Sequence, residues 1–223
     1  MDGVIEQYKS SGIKFTKLIE TGKIYKKIIE VADKVNATGI FMATSGASGF
    51  ERIVGTNALR VVRAAKCLVT TIRLTDDVTK FGYRNILLPL DLTKETREKL
   101  RVAIETAHQF NSKINVVSVT VSKDEFVVNK LRGQLKQVVT LIQNEKIPVT
   151  GKLIDGDNIA KAVIDYGMKL NIDSIFIMTQ QELGWVEQII GSAAQQIINH
   201  SPVPVISITP VNLKDTTLFP TEY

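Results

Sequence analysis

The chain has little of what marks several large functional classes. Among its 223 residues there are one cysteine, two histidines and one tryptophan, and aromatic residues make up only 6%. A single cysteine, Cys67, cannot close an internal disulfide, so a stapled secreted scaffold is excluded and a reducing, cytoplasmic setting is expected. Cys67 falls in an apolar run that reads as a buried strand, where a thiol acts as a small, inert core side chain. Neither His108 nor His200 has Cys, His or Glu at ligand spacing, so no metal site is expected. There is no Ser-His-Asp or Cys-His order and no G-x4-G-K-[S/T] loop, so no catalytic residue is expected either. No apolar run approaches the roughly 20 residues of a membrane span, and MDGVIEQYKSSG lacks the basic-then-apolar pattern of a leader. The net charge of +5 is mild. Lys23, Lys26, Lys27, Lys94, Arg97, Lys99 and Arg101 are dispersed on what read as solvated helix faces, without interleaved aromatics, which argues against a nucleic-acid partner.

What is present is an ordinary globular composition, 44% hydrophobic and 23% charged, enough for one large or two small cores. It is written twice. Ile40–Arg73 and Ile175–Thr209 share one order: an apolar strand, a polar loop, a Gly-Thr or Gly-Ser pair opening a helix, and a second apolar strand. The copies are 135 residues apart at Ile40/Ile175 and 136 at Gly55/Gly191, so the first loop is one residue shorter. Spacing of this size marks a duplicated domain, not a solenoid repeat.

The second unit is complete. Strands are expected at Asn85–Leu90, Ile114–Val119, Pro148–Ile154, Ser174–Thr179 and Val203–Thr209. Helices are expected from a Thr93 cap to Phe110, over Phe126–Asn144 (with Gly133 inside at some cost), over Ile159–Leu170 with Gly167 facing in, and over Ile189–Asn199. Alternation of this kind predicts an α/β fold with a doubly wound parallel sheet, which binds ligands at the carboxyl ends of its strands. The first unit matches only the back of this plan. Met1–Lys9 reads as a helix end, Gly12–Ile19 as strand three, Ile24–Val35 as helix three, Ile40–Thr44 as strand four, Gly55–Arg63 as helix four and Cys67–Arg73 as strand five. Positions 84–135 of the second unit have no counterpart in it. The expected organisation is a partial unit over 1–75, a linker over 76–83 within the polar stretch Leu74–Gly82, a complete unit over 84–210 and a tail over 211–223.

Three separated segments, SGASGFERIVGTNALRVVRAAKCLV, IIGSAAQQIINHSPVPVISI and NILLPLDLTKETREKLRVAIETA, resemble the universal stress protein family in its tandem form. The resemblance implies a Rossmann-like fold of the adenine nucleotide α-hydrolase type, duplicated, with strand order 3-2-1-4-5 in each half. It implies adenine-nucleotide (ATP, with Mg) binding in a stress response, and self-association through the last strand of each half, Cys67–Arg73 and Val203–Thr209. Family members carry G-x2-G-x9-G-[S/T] after strand four and an Asp ending strand one. On that pattern Gly46, Gly49, Gly55, Thr56 and Asn57 would serve phosphate in the first half, and Asp91, Gly191 and Ser192 belong to the site of the second.

Glycines ahead of a helix suit phosphate because the backbone approaches closely, its N–H groups point at the anion and the helix dipole favours negative charge. The first loop departs from the pattern: Ala43 stands at the first family glycine and one residue is missing before Gly55. Its glycines either cradle phosphate or only turn the chain. In the second half Met178-Thr179-Gln180-Gln181-Glu182 replaces the glycines, and a carboxylate there repels phosphate. Asp91 is either a nucleoside contact or a helix-start carboxylate beside Thr93. The first half keeps the loop without the Asp, and the second keeps the Asp without the loop. A non-nucleotide scaffold acting through dimerisation or protein interaction is the alternative reading. An enzyme is not expected beyond slow ATP hydrolysis.

Overall fold

A computed structural model describes residues 2–44, 56–73, 81–90, 96–179 and 191–209. Their elements, in chain order, are α1 (Asp2–Gln7), a 3-10 turn at Lys9–Ser11, α2 (Ile24–Lys34), β1 (Gly39–Ala43), α3 (Thr56–Ala64), β2 (Leu68–Ile72), β3 (Asn85–Leu90), α4 (Thr96–Phe110), β4 (Lys113–Thr120), α5 (Glu125–Asn144), β5 (Val149–Asp155), α6 (Ile159–Lys169), β6 (Ser174–Met178), α7 (Ser192–His200) and β7 (Val205–Ile208). Among the described residues the strands form one sheet in the order β1-β2-β7-β6-β3-β4-β5. All neighbours are parallel except β2 and β7, which pair antiparallel through Val69–Ser207, Thr70–Ile206 and Thr71–Val205. The second half therefore has the expected order, and the two halves join within one chain along their last strands.

Residue pattern explains the two faces. One side of the sheet offers Val69, Leu87, Val117, Ile175 and Val205 to a cluster closed by α3, α6 and α7, with Tyr25, Ile28 and Ile29 of α2 packed against it. The other offers Ile86, Leu88, Ile114, Val116, Phe176 and Ile206 to α4 and α5. Alternate residues of each strand serve opposite faces, as a pleated strand requires. Helix ends are set by residue type. Asp124 and Asn158 cap α5 and α6 by accepting from the backbone N–H of Phe126 and Lys161. Asn36 and Asn171, 135 positions apart, stop α2 and α6 in the left-handed conformation, which Asn tolerates. The Asp173 carboxylate accepts from the backbone N–H of Arg84 and Asn85 and so fixes the amino end of β3.

Three expectations need correction. Residues 12–19 form no strand; Gly12 is in a turn and 13–19 have no regular structure. A strand needs a hydrogen-bonding neighbour, and the strand beside which this segment would lie has no counterpart in the first half. Cys67 precedes β2 and is only partly buried. Lys99 is not on a solvated face: it is 2% exposed, and its ammonium donates to the Pro89 carbonyl at the end of β3. Position 99 shares the inward stripe of α4 with Ala103 and lies beside Leu100, and the long stem carries the charge to a strand-end acceptor. The predicted cap at Thr93 and the linker residues 76–80 lie outside the described residues.

Two glycines should respond oppositely to alanine. A Cβ on Gly167 of α6 would collide with Ile172 Cδ1 and Leu87 Cδ2, so Gly167→Ala is expected to lower stability by about 1–3 kcal/mol. A Cβ on Gly133 of α5 meets nothing within 4 Å, so Gly133→Ala is expected to raise stability by about 0.5–1 kcal/mol. Urea unfolding midpoints with unchanged slopes would read both.

Candidate functional site

In each half the chain leaves strand four and re-enters at the helix that precedes strand five. The exit is pinned identically in both. The Thr44 N–H donates to the Ile72 carbonyl at 2.9 Å, and the Thr179 N–H donates to the Ile208 carbonyl at 3.0 Å. Their buried hydroxyls reach the same acceptors, at 3.5 and 3.2 Å. These threonines fasten the end of β1 to β2 and the end of β6 to β7 just before the candidate loops. Sequence reading passed them over, although their spacing of 135 residues repeats that of Ile40 and Ile175.

Of the predicted site residues, Gly46, Gly49, Gly55 and Asp91 lie outside the described residues. Thr56 is the first residue of α3 and Asn57 the second, with Asn57 half-buried. Gly191 is the buried N-cap of α7 with φ −56° and no side-chain cap, and Ser192 opens that helix exposed to solvent. Gln195 N–H donates to the Gly191 carbonyl at 3.0 Å, so the first turn is closed. α7 thus starts directly after Gly191, with first-turn N–H groups unused by the helix itself, and α3 is described from Thr56 onward.

The antiparallel join separates these positions. Because β2 runs against β7, the carboxyl ends of β1 and β2 lie at one end of the sheet and those of β7, β6 and β3 at the other. Thr56 and Asn57 therefore stand a strand length, roughly 15–20 Å, from the end holding Gly191, Ser192 and Leu90. Within the second half, β3 lies between β6 and β4, and the chain runs outward to β5 before returning on the other side of β3. That reversal, at the ends of β3 and β6, is where such sheets form a ligand crevice. Buried Lys99 sits there on Pro89.

A different cavity, of about 370 Å³, is lined by Ala32, Asp33, Asn36, Ala37, Lys66 and Cys67. It lies at the amino ends of β1 and β2, away from the glycine loop. Lys66 and Asp33 form an ion pair at 2.8 Å at its rim, both side chains well exposed, which adds little stability. Burial pushes the Cys67 thiol up, and the Asp33 carboxylate adds to the shift. Among the described residues no group of three His, Cys, Asp or Glu could hold a metal, and no helix is long and apolar enough to cross a membrane.

A duplicated, doubly wound α/β sheet with helix N-termini behind the strand ends defines the class of Rossmann-like domains. The Universal stress protein family profile matches residues 5–73 and 82–208. Universal stress protein A of Yersinia pestis is 22% identical over 139 residues, 57% of this chain and 92% of that protein. A universal stress protein structure from Archaeoglobus fulgidus superposes with a TM-score of 0.75 at 23% identity, covering 95% of this chain and 75% of its own. A putative universal stress protein from Pseudomonas aeruginosa gives 0.74 at 15% identity, covering 94% and 77%. The chain belongs to the universal stress protein family.

The raised thiol value has a direct readout. Since the thiolate is the nucleophile, Cys67 should alkylate more slowly at neutral pH than a free cysteine, with its rate inflection above the ordinary thiol range. Asp33→Asn should move the inflection down. Iodoacetamide rates followed by mass spectrometry from pH 7 to 10 would measure both.

Proposed function

We propose that this protein binds an adenine nucleotide, ATP with Mg, through its first half, as a cytoplasmic component of stress adaptation. The observation that carries the reading is the position of α3. Its described part begins at Thr56, and in sequence Gly46, Gly49 and Gly55 fall between that residue and the pinned end of β1. The nucleotide phosphates would take the loop N–H groups, the first turn of α3 and the Thr56 hydroxyl, with Asn57 beside them. Asp91, Gly191 and Ser192 would form a second, weaker position at the other end of the sheet. Its loop carries Glu182 in place of glycines. Binding, with at most slow ATP hydrolysis, is the activity proposed.

The other reading is a scaffold that binds no nucleotide. The β2–β7 join favours it, since the duplicated strand serves assembly whether or not either loop is occupied. ATP-Mg separates the two. At a hundredfold excess over Kd a ligand specific to the native state adds about 2.7 kcal/mol, or very roughly 5–10 °C in Tm for a domain of this size. Nucleotide binding predicts such a shift, its loss in Gly46→Val and Gly49→Val, and its survival in Gly191→Val if the second position is minor. No shift at millimolar ATP in a cooperatively folded sample would establish the scaffold reading.

A further inference from the structure

Apolar exposure is concentrated in the first half. Phe41 of β1 is 62% exposed, while its counterpart 135 positions on, Phe176 of β6, is 1% exposed. The densest run of exposed apolar residues lies in one stretch of chain. Every residue from 6 to 24 is exposed. Ile13, Phe15, Leu18, Ile19 and Ile24 project there among polar neighbours, Ile19 at 84%. The chain turns at Gly12 and at Gly22, both at positive φ, and residues 13–21 between them have no regular structure. It then runs into α2, whose Tyr25, Ile28 and Ile29 pack against the core. The apolar side chains are therefore held out from a fixed base.

The same stretch is basic. Between Tyr8 and Lys26 stand Lys9, Lys14, Lys17, Lys23 and Lys26 against a single acid, Glu20. The acids that flank it are engaged already, Glu6 with Lys9 at 3.5 Å and Glu30 with Lys27 at 2.6 Å. Among the described residues no ion pair takes Lys14, Lys23 or Lys26. Apolar tips and cations on one protruding stretch suit a lipid interface, where the tips reach the acyl boundary and the ammonium groups lie among anionic headgroups. Other occupants fit less well. A protein partner is recognised through a shaped seat or a strand edge, and residues 13–21 are neither strand nor helix. Single-stranded nucleic acid is held on aromatic platforms, and four of the five exposed apolar residues named are aliphatic. A second copy would bring the same excess of positive charge against itself.

We propose that residues 8–26 form a docking surface for an anionic lipid bilayer. Ile13, Phe15, Leu18, Ile19 and Ile24 enter the interface, which such segments penetrate by about 5–10 Å. Lys14, Lys23 and Lys26 meet the headgroups, each adding about fivefold in affinity on a negative leaflet. The backbone of 13–21 stays at headgroup depth, where water satisfies its N–H and C=O groups. α2 ties the segment to the sheet, so the protein is held at the membrane surface without a span. The inference is independent of nucleotide binding.

The test uses the intact protein with vesicles of phosphatidylcholine, alone or mixed with phosphatidylglycerol, read by co-sedimentation. Saturable binding at least tenfold tighter to the mixed vesicles is expected, weakening as salt rises. Ile19→Asp should reduce it at least tenfold, and Lys14→Gln and Lys23→Gln about fivefold each. Lys130→Gln with Lys136→Gln, at exposed positions of α5, should leave it unchanged. All of these side chains are exposed, so equal unfolding midpoints are expected and show that the variants fold. Ile19→Trp gives a second measurement: its added fluorescence should shift to the blue on mixed vesicles and be quenched by brominated acyl chains. Equal binding to both vesicle types overturns the proposal. So does full binding by Ile19→Asp, an added fluorescence that the lipid leaves untouched, or loss of binding in the α5 variant. Binding to polyglutamate as tight as to vesicles and indifferent to Ile19→Asp would reassign the surface to an acidic protein. A dimer of this chain abolished by Ile19→Asp would reassign it to a second copy. Either result also overturns the proposal.

Discussion

The backbone ladder between β2 and β7 is the interaction on which the rest of the molecule depends. Among the described residues it unites a half with two strands, β1 and β2, with a half that has five, β3 to β7. Val69, Thr70, Thr71, Val205, Ile206 and Ser207 are all buried there, so the ladder is an interior part of one sheet and not a contact between two finished domains. The Thr71 hydroxyl donates to the Val205 carbonyl at 3.3 Å, which satisfies a polar group that burial would otherwise penalise. With β7 removed, β1 and β2 would be a two-strand ribbon with α2 and α3 on one face, too small to stand alone. The first half is therefore ordered by the second.

The direction of that ladder has functional weight. An antiparallel join turns the two halves end for end, so the start of the described α3 at Thr56 and the start of α7 at Gly191 stand at opposite ends of the sheet. The polar threonines Thr44 and Thr179 do the same work at both ends, tying strand four to strand five where the loop departs. Conservation of this pin alongside divergence of the loops fits a duplicated framework whose binding chemistry has changed separately in each copy.

Much of this was legible in the residues. Strand existence followed from short apolar runs alternating with amphipathic helices, while strand order and the join of the last strands were what the family resemblance implied. What failed depended on neighbours. In sequence residues 12–19 read as a strand, but a strand forms only with a partner, and none pairs with them among the described residues. Lys99 reads as a surface lysine beside Arg97 and Arg101, and only the packed structure shows its stem lying in the inward stripe with its charge delivered to Pro89. Cys67 lies one position ahead of β2, which starts at Leu68, and packs only partly buried against the core. Phe41 and Phe176 are equivalent by sequence and opposite in exposure, a difference set wholly by what lies across the next strand. Of the predicted site residues, Gly46, Gly49, Gly55 and Asp91 lie outside the described residues, and the separation of Thr56 and Asn57 from Gly191 and Ser192 required strand direction.

The most direct test of this account is the cross-strand NOE pattern between β2 and β7 in the isotopically labelled full-length protein. An antiparallel ladder predicts backbone contacts pairing Val69 with Ser207, Thr70 with Ile206 and Thr71 with Val205, so that one sequence ascends as the other descends. A parallel ascent of contacts, or none between these strands, would contradict the single sheet and the separation of the two sites that follows from it.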